Sequence, residues 1–172
     1  MKLYTVQGLT HWDESTRKGS LTGGTSLQHV DPDWHPAYNW MREQMRRRLG
    51  AVSGDYPVWA WPWEAYESRF EPDSRWGTVG EDMVVLGFDV PEARVLTSDF
   101  MAWHQVLNND LIGEEDVFTE AEKLASWDRI FDPAQLKGWT DGKSLQACVD
   151  RVRLDEIFFV RTFTVVPMVW ED

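Results

Sequence analysis

One residue separates Trp59 from Trp61 in the segment 57–62, and indoles at this spacing can stack a planar ligand. Residues i and i+2 of a β-strand point to the same face, so both rings are expected on one side of a short strand. A buried indole also needs a partner for its one N–H group. Eleven of the 172 residues are tryptophan, and such side chains build a core or line a cleft. The composition leaves both alternatives open.

Arg75 is the second residue that could do chemistry, because it follows the Trp-rich segment within a predicted loop at 64–80. Pro72, Gly77 and Gly80 favour a loop there, and long loops in compact domains are often functional. A loop arginine beside aromatic rings can clamp a phosphate or a carboxylate. The alternative is an ion pair between Arg75 and a neighbouring aspartate.

Self-contained catalytic and metal motifs are absent from the sequence. The four histidines show no HxxxH or HExxH spacing, and no GxSxG, P-loop or GxGxxG motif occurs. Cys148 is the only cysteine, which excludes an intramolecular disulfide. Its apolar neighbours indicate a buried small hydrophobic residue and not a nucleophile. We therefore expect no metal site.

The net charge of the chain limits the classes of partner that it is expected to bind. A net charge of −12 argues against a general nucleic-acid binder, which needs a basic face. Arg42, Arg46, Arg47 and Arg48 form a local basic cluster, interpreted as a solvated helix end or, alternatively, a phosphate-binding patch. No apolar run is long enough for a membrane span, and the first residues lack the apolar core of a signal peptide. The prediction is a cytoplasmic protein without a membrane partner.

The elements that would position these residues follow in the order strand, helices, strands, helices, strands. This grouping indicates an α+β fold, and not a parallel sheet of βαβ units, in a single domain over residues 1–172. Predicted strands cover 2–7, 57–62, 83–90, 94–97, 145–150 and 157–168. About four helices are predicted, from Thr10 to Gly19, from Pro36 to Gly50, after Ser98, and after Thr119, where a capping box begins. Gly23 and Gly24 are predicted to form a flexible turn.

Several segments resemble a bacterial family catalogued as a domain of unknown function. The resemblance is carried by residues 3–7, 56–61 with its Trp-Ala-Trp motif, 72–75, 98–108 with its Asp-Phe-x-x-Trp-His motif, 126–131 and 145–147. Together these segments span nearly the whole chain. The family implies no activity by itself.

The outline also looks like the ADP-ribosyltransferase superfamily, with an opening strand, a helix ending in glycine, and a late strand pair. That resemblance implies a mixed or antiparallel split sheet with NAD in its cleft. It places Thr5 or Gln7 where such enzymes hold NAD, and Trp59 or Trp61 near the aromatic residue that stacks on nicotinamide. Gln146 stands in place of the catalytic glutamate, where an amide lacks the charge that stabilises a developing cation.

Two functions from different classes follow. The first is an aromatic-lined cleft for NAD or another nucleotide-like ligand, with Arg75 meeting phosphate, Gln146 and Gln7 meeting sugar or amide, and transferase activity left open. The second is a non-enzymatic interaction module in which the tryptophans form the core and a partner surface. A sugar-binding site is a third alternative; it predicts a flat, exposed tryptophan pair flanked by carboxylates instead of a deep cleft with Arg75.

Overall fold

The computed structural model describes residues 1–50, 52–113, 115, 117–136 and 144–168. Within these residues, six strands pair into one antiparallel sheet. In chain order the strands are β1 (Lys2–Gly8), β2 (Ser20–Leu21), β3 (Val58–Pro62), β4 (Asp82–Asp89), β5 (Val95–Asp99), β6 (Leu145–Val149), β7 (Val152–Arg153) and β8 (Ile157–Thr164). Their order across the sheet is β5-β6-β3-β1-β4-β8, while β2 and β7 pair separately. The antiparallel alternative of the predicted sheet is thus confirmed.

Five α-helices lie within the described residues, which confirms the α+β class. They are α1 (Leu9–Lys18), α2 (His35–Leu49), α3 (Trp63–Arg69), α4 (Phe100–Leu107) and α5 (Glu120–Ser126). Two predicted end signals are present. Gly19 ends α1 with a left-handed φ of 82°, and Thr119 with Glu122 forms the capping box of α5.

Three helix predictions are corrected by the structure. Helix α1 begins after Gly8 and not after Thr10. Asp99, not Ser98, caps α4, because its carboxylate accepts a hydrogen bond from the Ala102 N–H at 2.9 Å. Helix α3 occupies part of the segment predicted as loop. Its seven residues contain no Gly or Pro; the loop signals all come later.

The tryptophans of β3 lie on one face of the sheet, as the two-residue period predicts. Trp59 packs with Trp103 and the apolar side of α2, whereas Val58 and Ala60 belong to the core on the opposite face. Helix α1 covers that opposite face through Leu9 and Trp12. The sheet therefore has a hydrophobic core on both sides, which explains the uninterrupted burial of β4 from residue 83 to 88.

The central strand β1 separates from β3 along its length. It pairs with β4 over all seven of its residues, but with β3 only at Leu3–Pro62 and Tyr4–Trp61. Beyond Tyr4 the two strands carry no further registered pair. An opening in the sheet follows, at the end where β1 finishes and β3 begins.

A dense aromatic cluster closes the other end of this face. Tyr4 contacts Trp61, Tyr66, Phe70 and Trp76, with ring centroids 5.6–6.2 Å apart. Gly87 of β4 lies beneath Trp63 and Phe159, where a side chain has no room: a Cβ atom there would come within 2.6 Å of the Trp63 ring. Close packing of this cluster onto β4 depends on that glycine.

We predict that Gly87→Ala destabilises the protein by about 1–3 kcal/mol, because overpacking displaces the ring above it. Urea unfolding measures the change. Gly8→Ala is the matched control, since no atom lies within 4 Å of the position of its Cβ atom. Equal stability of the two variants would show that the aromatic cluster is loosely packed.

Candidate functional site

A cleft of about 1420 Å³ lies where β1 and β3 separate. Its walls come from the end of β1, the first turns of α1, the segment 22–30, the start of β3 and the residues that open β4. Gln7, Tyr38, Trp59 and Trp61 are among its lining residues. Small-molecule sites usually occupy about 300–1,000 Å³, so the cleft has room for a ligand of nucleotide size.

The two predicted stacking residues are half-buried in this wall. Trp59 is supported by Trp103 and Tyr38, with ring centroids at 4.8 and 5.6 Å. Trp61 is supported by Tyr4 and Trp76, at 5.8 and 5.3 Å. Each indole is thereby held in place by rings from other elements while part of its surface stays accessible to the cleft.

The Nε1–H group of Trp59 lacks a hydrogen-bond partner although the atom is buried, and it is alone in this among the side-chain polar atoms of the described residues. A buried donor without a partner costs roughly 1–3 kcal/mol. Because this atom has almost no accessible surface, the missing hydrogen bond is a cost of packing the Trp59 ring against Trp103 and Tyr38 and not a contact open to the cleft.

Gln7 and Thr5 form a short hydrogen-bonded relay at the opening. The Gln7 Nε2 group donates to the Thr5 hydroxyl at 2.8 Å, and that hydroxyl donates to the Trp59 carbonyl at 2.7 Å. Thr5 is fully buried and does not line the cleft, whereas Gln7 is half-buried and does. The relay thus connects the Gln7 amide to the backbone that carries one of the stacking rings.

The Gly23–Gly24 turn forms part of the opposite wall, held by backbone hydrogen bonds. The Gly23 N–H donates to the Tyr56 carbonyl at 3.0 Å, and the Tyr56 N–H donates to the Gly24 carbonyl at 2.9 Å. A Cβ atom at Gly23 would come within 2.3 Å of the Pro57 carbonyl oxygen. The sequence pointed to a flexible turn here; the long-range backbone pairing to Tyr56 could not be read from it.

Gln146 does not line the cleft. It is buried in β6, and its Nε2 group donates to the Ser98 hydroxyl at 3.1 Å. Trp59 pairs with Cys148, two residues along β6, so Gln146 does share a sheet face with the stacking ring. The carboxamide that joins the two indoles at the cleft is that of Gln7.

Arg75 also lies outside the lining. Its guanidinium donates to both carboxylate oxygens of the buried Asp73, with Nη2 at 2.6 Å and Nε at 2.8 Å, and contacts Glu71. Hydrogen bonding from Arg75 lowers the pKa of the Asp73 carboxyl. The alternative of an Arg–Asp pair therefore describes this residue.

Arginines of the basic cluster on α2 also have partners within the protein, and the cysteine is buried. Arg46 and Arg47 both donate to Glu43, and these hydrogen bonds lower its pKa to about 2. Arg42 lies over the Tyr56 ring at 4.5 Å. Cys148 is fully buried, and burial raises its thiol pKa, which disfavours a nucleophilic thiolate.

Several lining residues were not singled out by sequence reasoning. They are His11, Tyr38, Asp55, Glu81 and Asp82. His11 contacts the Thr22 carbonyl through Nε2 at 2.9 Å and so links α1 to the opposite wall. Their sequence signal is weak because they come from segments that are far apart in the chain, and acids are common throughout it.

Two absences concern the described part of the chain. No cluster of three or more His, Cys, Asp or Glu side chains there is placed to hold a metal ion. No helix within the same residues is long and apolar enough to cross a membrane.

Arg75→Ala is predicted to destabilise the protein by about 1–2 kcal/mol at pH 7, because it leaves the buried Asp73 carboxylate without its charged donor. The pKa of this carboxyl is lowered in the folded state, so its contribution is present above the unfolded value of about 3.9 and disappears as pH falls through the folded value.

The difference in the free energy of unfolding between Arg75→Ala and the parent protein should therefore decrease in strong acid. Urea unfolding across the pH range measures this difference. Arg47→Ala, at an exposed pair with Glu43, is the matched control and should change stability by less than about 0.5 kcal/mol. A difference that is constant with pH would contradict the role given to Asp73.

Comparison of the sequence with known proteins assigns the chain to a family. No curated protein and no solved structure matches it. A family model described as a domain of unknown function, DUF3841, matches residues 2–124, which include β1, the Trp-Ala-Trp strand and α4. The chain therefore belongs to the DUF3841 family.

Proposed function

We propose that this protein binds a planar, nucleotide-like ligand in the cleft between β1 and β3. The observation that carries the proposal is the presence of Trp59 and Trp61, both half-buried, in the lining of one cleft. Stacking on an indole contributes about 1–3 kcal/mol per base in single-stranded nucleic-acid sites. Two supported rings can therefore provide a substantial part of the affinity for a flat ligand.

The polar groups around the rings would fix the orientation of the ligand. The Gln7 amide, anchored through its nitrogen to Thr5, presents its carbonyl oxygen to a sugar or amide donor. The hydroxyl groups of Thr22, Thr25 and Ser26 in the opposite wall would add further partners. Thr5 acts as a positioning residue, because it contacts Gln7 and the Trp59 backbone and not the cleft itself.

NAD is the first ligand to test, because the resemblance to ADP-ribosyltransferases and the opening between two central strands both favour it. The proposal concerns binding. Gln146 and Arg75 are engaged with Ser98 and Asp73 away from the cleft, so we assign them no contact with the ligand and no role in a transferase step.

Complete burial of both tryptophans of β3 would exclude a stacking role and favour the interaction-module alternative. Trp103 and Trp127 meet that condition, at 3% and 1% exposed, whereas Trp59 and Trp61 are half-buried at the cleft. The sugar-binding alternative is favoured by one observation: Asp55, Glu81 and Asp82 line the same cleft and could bind sugar hydroxyls.

A thermal-shift screen over NAD, mononucleotides, nucleosides and monosaccharides tests the proposal. A ligand at 100 times its Kd stabilises the native state by about 2.7 kcal/mol, which should raise Tm by several degrees. A response to sugars alone would favour the carbohydrate alternative. No shift with any ligand at millimolar concentration would contradict a small-molecule site here.

The variants Trp59→Phe and Gln7→Ala should each reduce the shift, because the first replaces the indole by a smaller stacking ring and the second removes the orienting amide. Trp40→Phe is the matched control: Trp40 packs against Trp127 and Phe131 and does not line the cleft. Gln146→Ala should retain the shift. If Gln146→Ala folds normally but loses the thermal shift, Gln146 does contribute to the ligand site.

A further inference from the structure

The ionisable side chains of the cleft lining are predominantly acidic. Five carboxylates, those of Asp13, Glu14, Asp55, Glu81 and Asp82, stand against two cations, Lys18 and Arg151. The whole chain carries −12, so its overall field has the same sign as that of the cleft.

These carboxylates are little neutralised within the protein. In the part of the chain described, Glu14 has a distant ion pair with Lys18 at 3.8 Å. Glu81 accepts a hydrogen bond from the Thr78 N–H at 3.0 Å, and Asp82 accepts one from the Thr164 hydroxyl at 2.8 Å. Both of those donors are uncharged, so the negative charge on each carboxylate remains uncompensated at the cleft.

Three of the acids lie at the end of the sheet where the cleft opens. Asp82 precedes the residue that pairs with Gly8, the last residue of β1, and Glu81 precedes Asp82. Asp55 comes shortly before β3, which begins at the same end because β1 and β3 are antiparallel. Clefts lined by one sign of charge concentrate the field between their low-dielectric walls.

Phosphate groups fit this lining poorly. Each brings about −1 to −2 charges next to exposed carboxylates, and Arg75, the arginine expected to receive phosphate, is bound to Asp73 elsewhere. A positively charged ring, by contrast, is attracted both by the carboxylates and by the faces of the indoles. Tryptophan is the best aromatic partner for such cation–π contacts.

We infer that the cleft selects a nucleoside-like ligand without phosphate, and that it prefers a cationic planar ring to a neutral one of the same size. This inference rests on the proposed function and narrows its ligand class. The ring stacks on Trp59 or Trp61, the sugar faces the hydroxyl groups of the segment 22–26, and the carboxylates at the rim supply the charge preference.

The test compares four probes by isothermal titration calorimetry with the full chain. They are nicotinamide riboside, its reduced and uncharged form, nicotinamide mononucleotide and NAD. We expect the cationic riboside to bind most tightly and NAD about tenfold more weakly or worse in 0.1 M salt. That gap should narrow in 1 M salt, where the screening length falls from about 10 to 3 Å.

The double variant Asp55→Asn/Asp82→Asn should weaken binding of the cationic riboside several-fold, strengthen binding of NAD, and leave the reduced riboside unchanged. Glu67→Gln is the control, since Glu67 is exposed on α3 outside the lining. Because the neutral probe reports on folding and stacking, a general loss of structure in the double variant is recognised by its effect on all four ligands.

The outcomes separate the two proposals. Tighter binding of NAD than of the riboside, or a charge preference that the double variant does not change, overturns this inference and leaves the ligand-binding cleft standing. Failure of all four probes to bind overturns this inference, whereas the proposed function is overturned only if the wider thermal-shift screen also shows no response to any ligand.

Discussion

The candidate site depends on the place where β1 leaves β3. The Thr5 hydroxyl, fully buried, donates to the Trp59 carbonyl just beyond the two registered pairs of these strands. A side-chain hydrogen bond here takes the place of the next backbone pairing, so the strands stay close while the sheet opens. The opening brings residues from both sheet faces, Gln7 and Trp59, to one cleft.

Some aromatic residues line the cleft wall, and others pack behind these rings and hold them in place. Trp103 and Tyr38 hold Trp59 from one side, and Tyr4 and Trp76 hold Trp61 from the other. Rings supported in this way lose little conformational entropy when a ligand stacks on them, which favours binding. Some tryptophans therefore build the core and others line the cleft, so both alternatives that composition left open occur, at different positions in the chain.

Charge distinguishes the cleft from the arginine-rich surface of α2. Arg46 and Arg47 donate to Glu43, and Arg48 forms an ion pair with Asp128 at 3.2 Å. Arg42 lies over the Tyr56 ring. Each arginine of the local basic cluster therefore has a partner within the protein. The cleft keeps an acidic rim instead. An anionic ligand would meet repulsion there, whereas a neutral or cationic ring would not.

Local pattern was enough to determine the α+β class, the shared face of Trp59 and Trp61, the glycine end of α1, the capping box of α5 and the burial of Cys148. Each of these depends on the residue's own period, cap or apolar neighbours. What only the tertiary structure decided is which distant groups meet. Gln146 donates a hydrogen bond to Ser98 on the adjacent strand, and Gln7 lines the same cleft as Trp59 and Trp61. The contact between Arg75 and Asp73 is local by contrast, and the alternative of a neighbouring aspartate had predicted it. Sheet order and the separation of β1 from β3 arise from long-range pairing, which no local window of sequence contains.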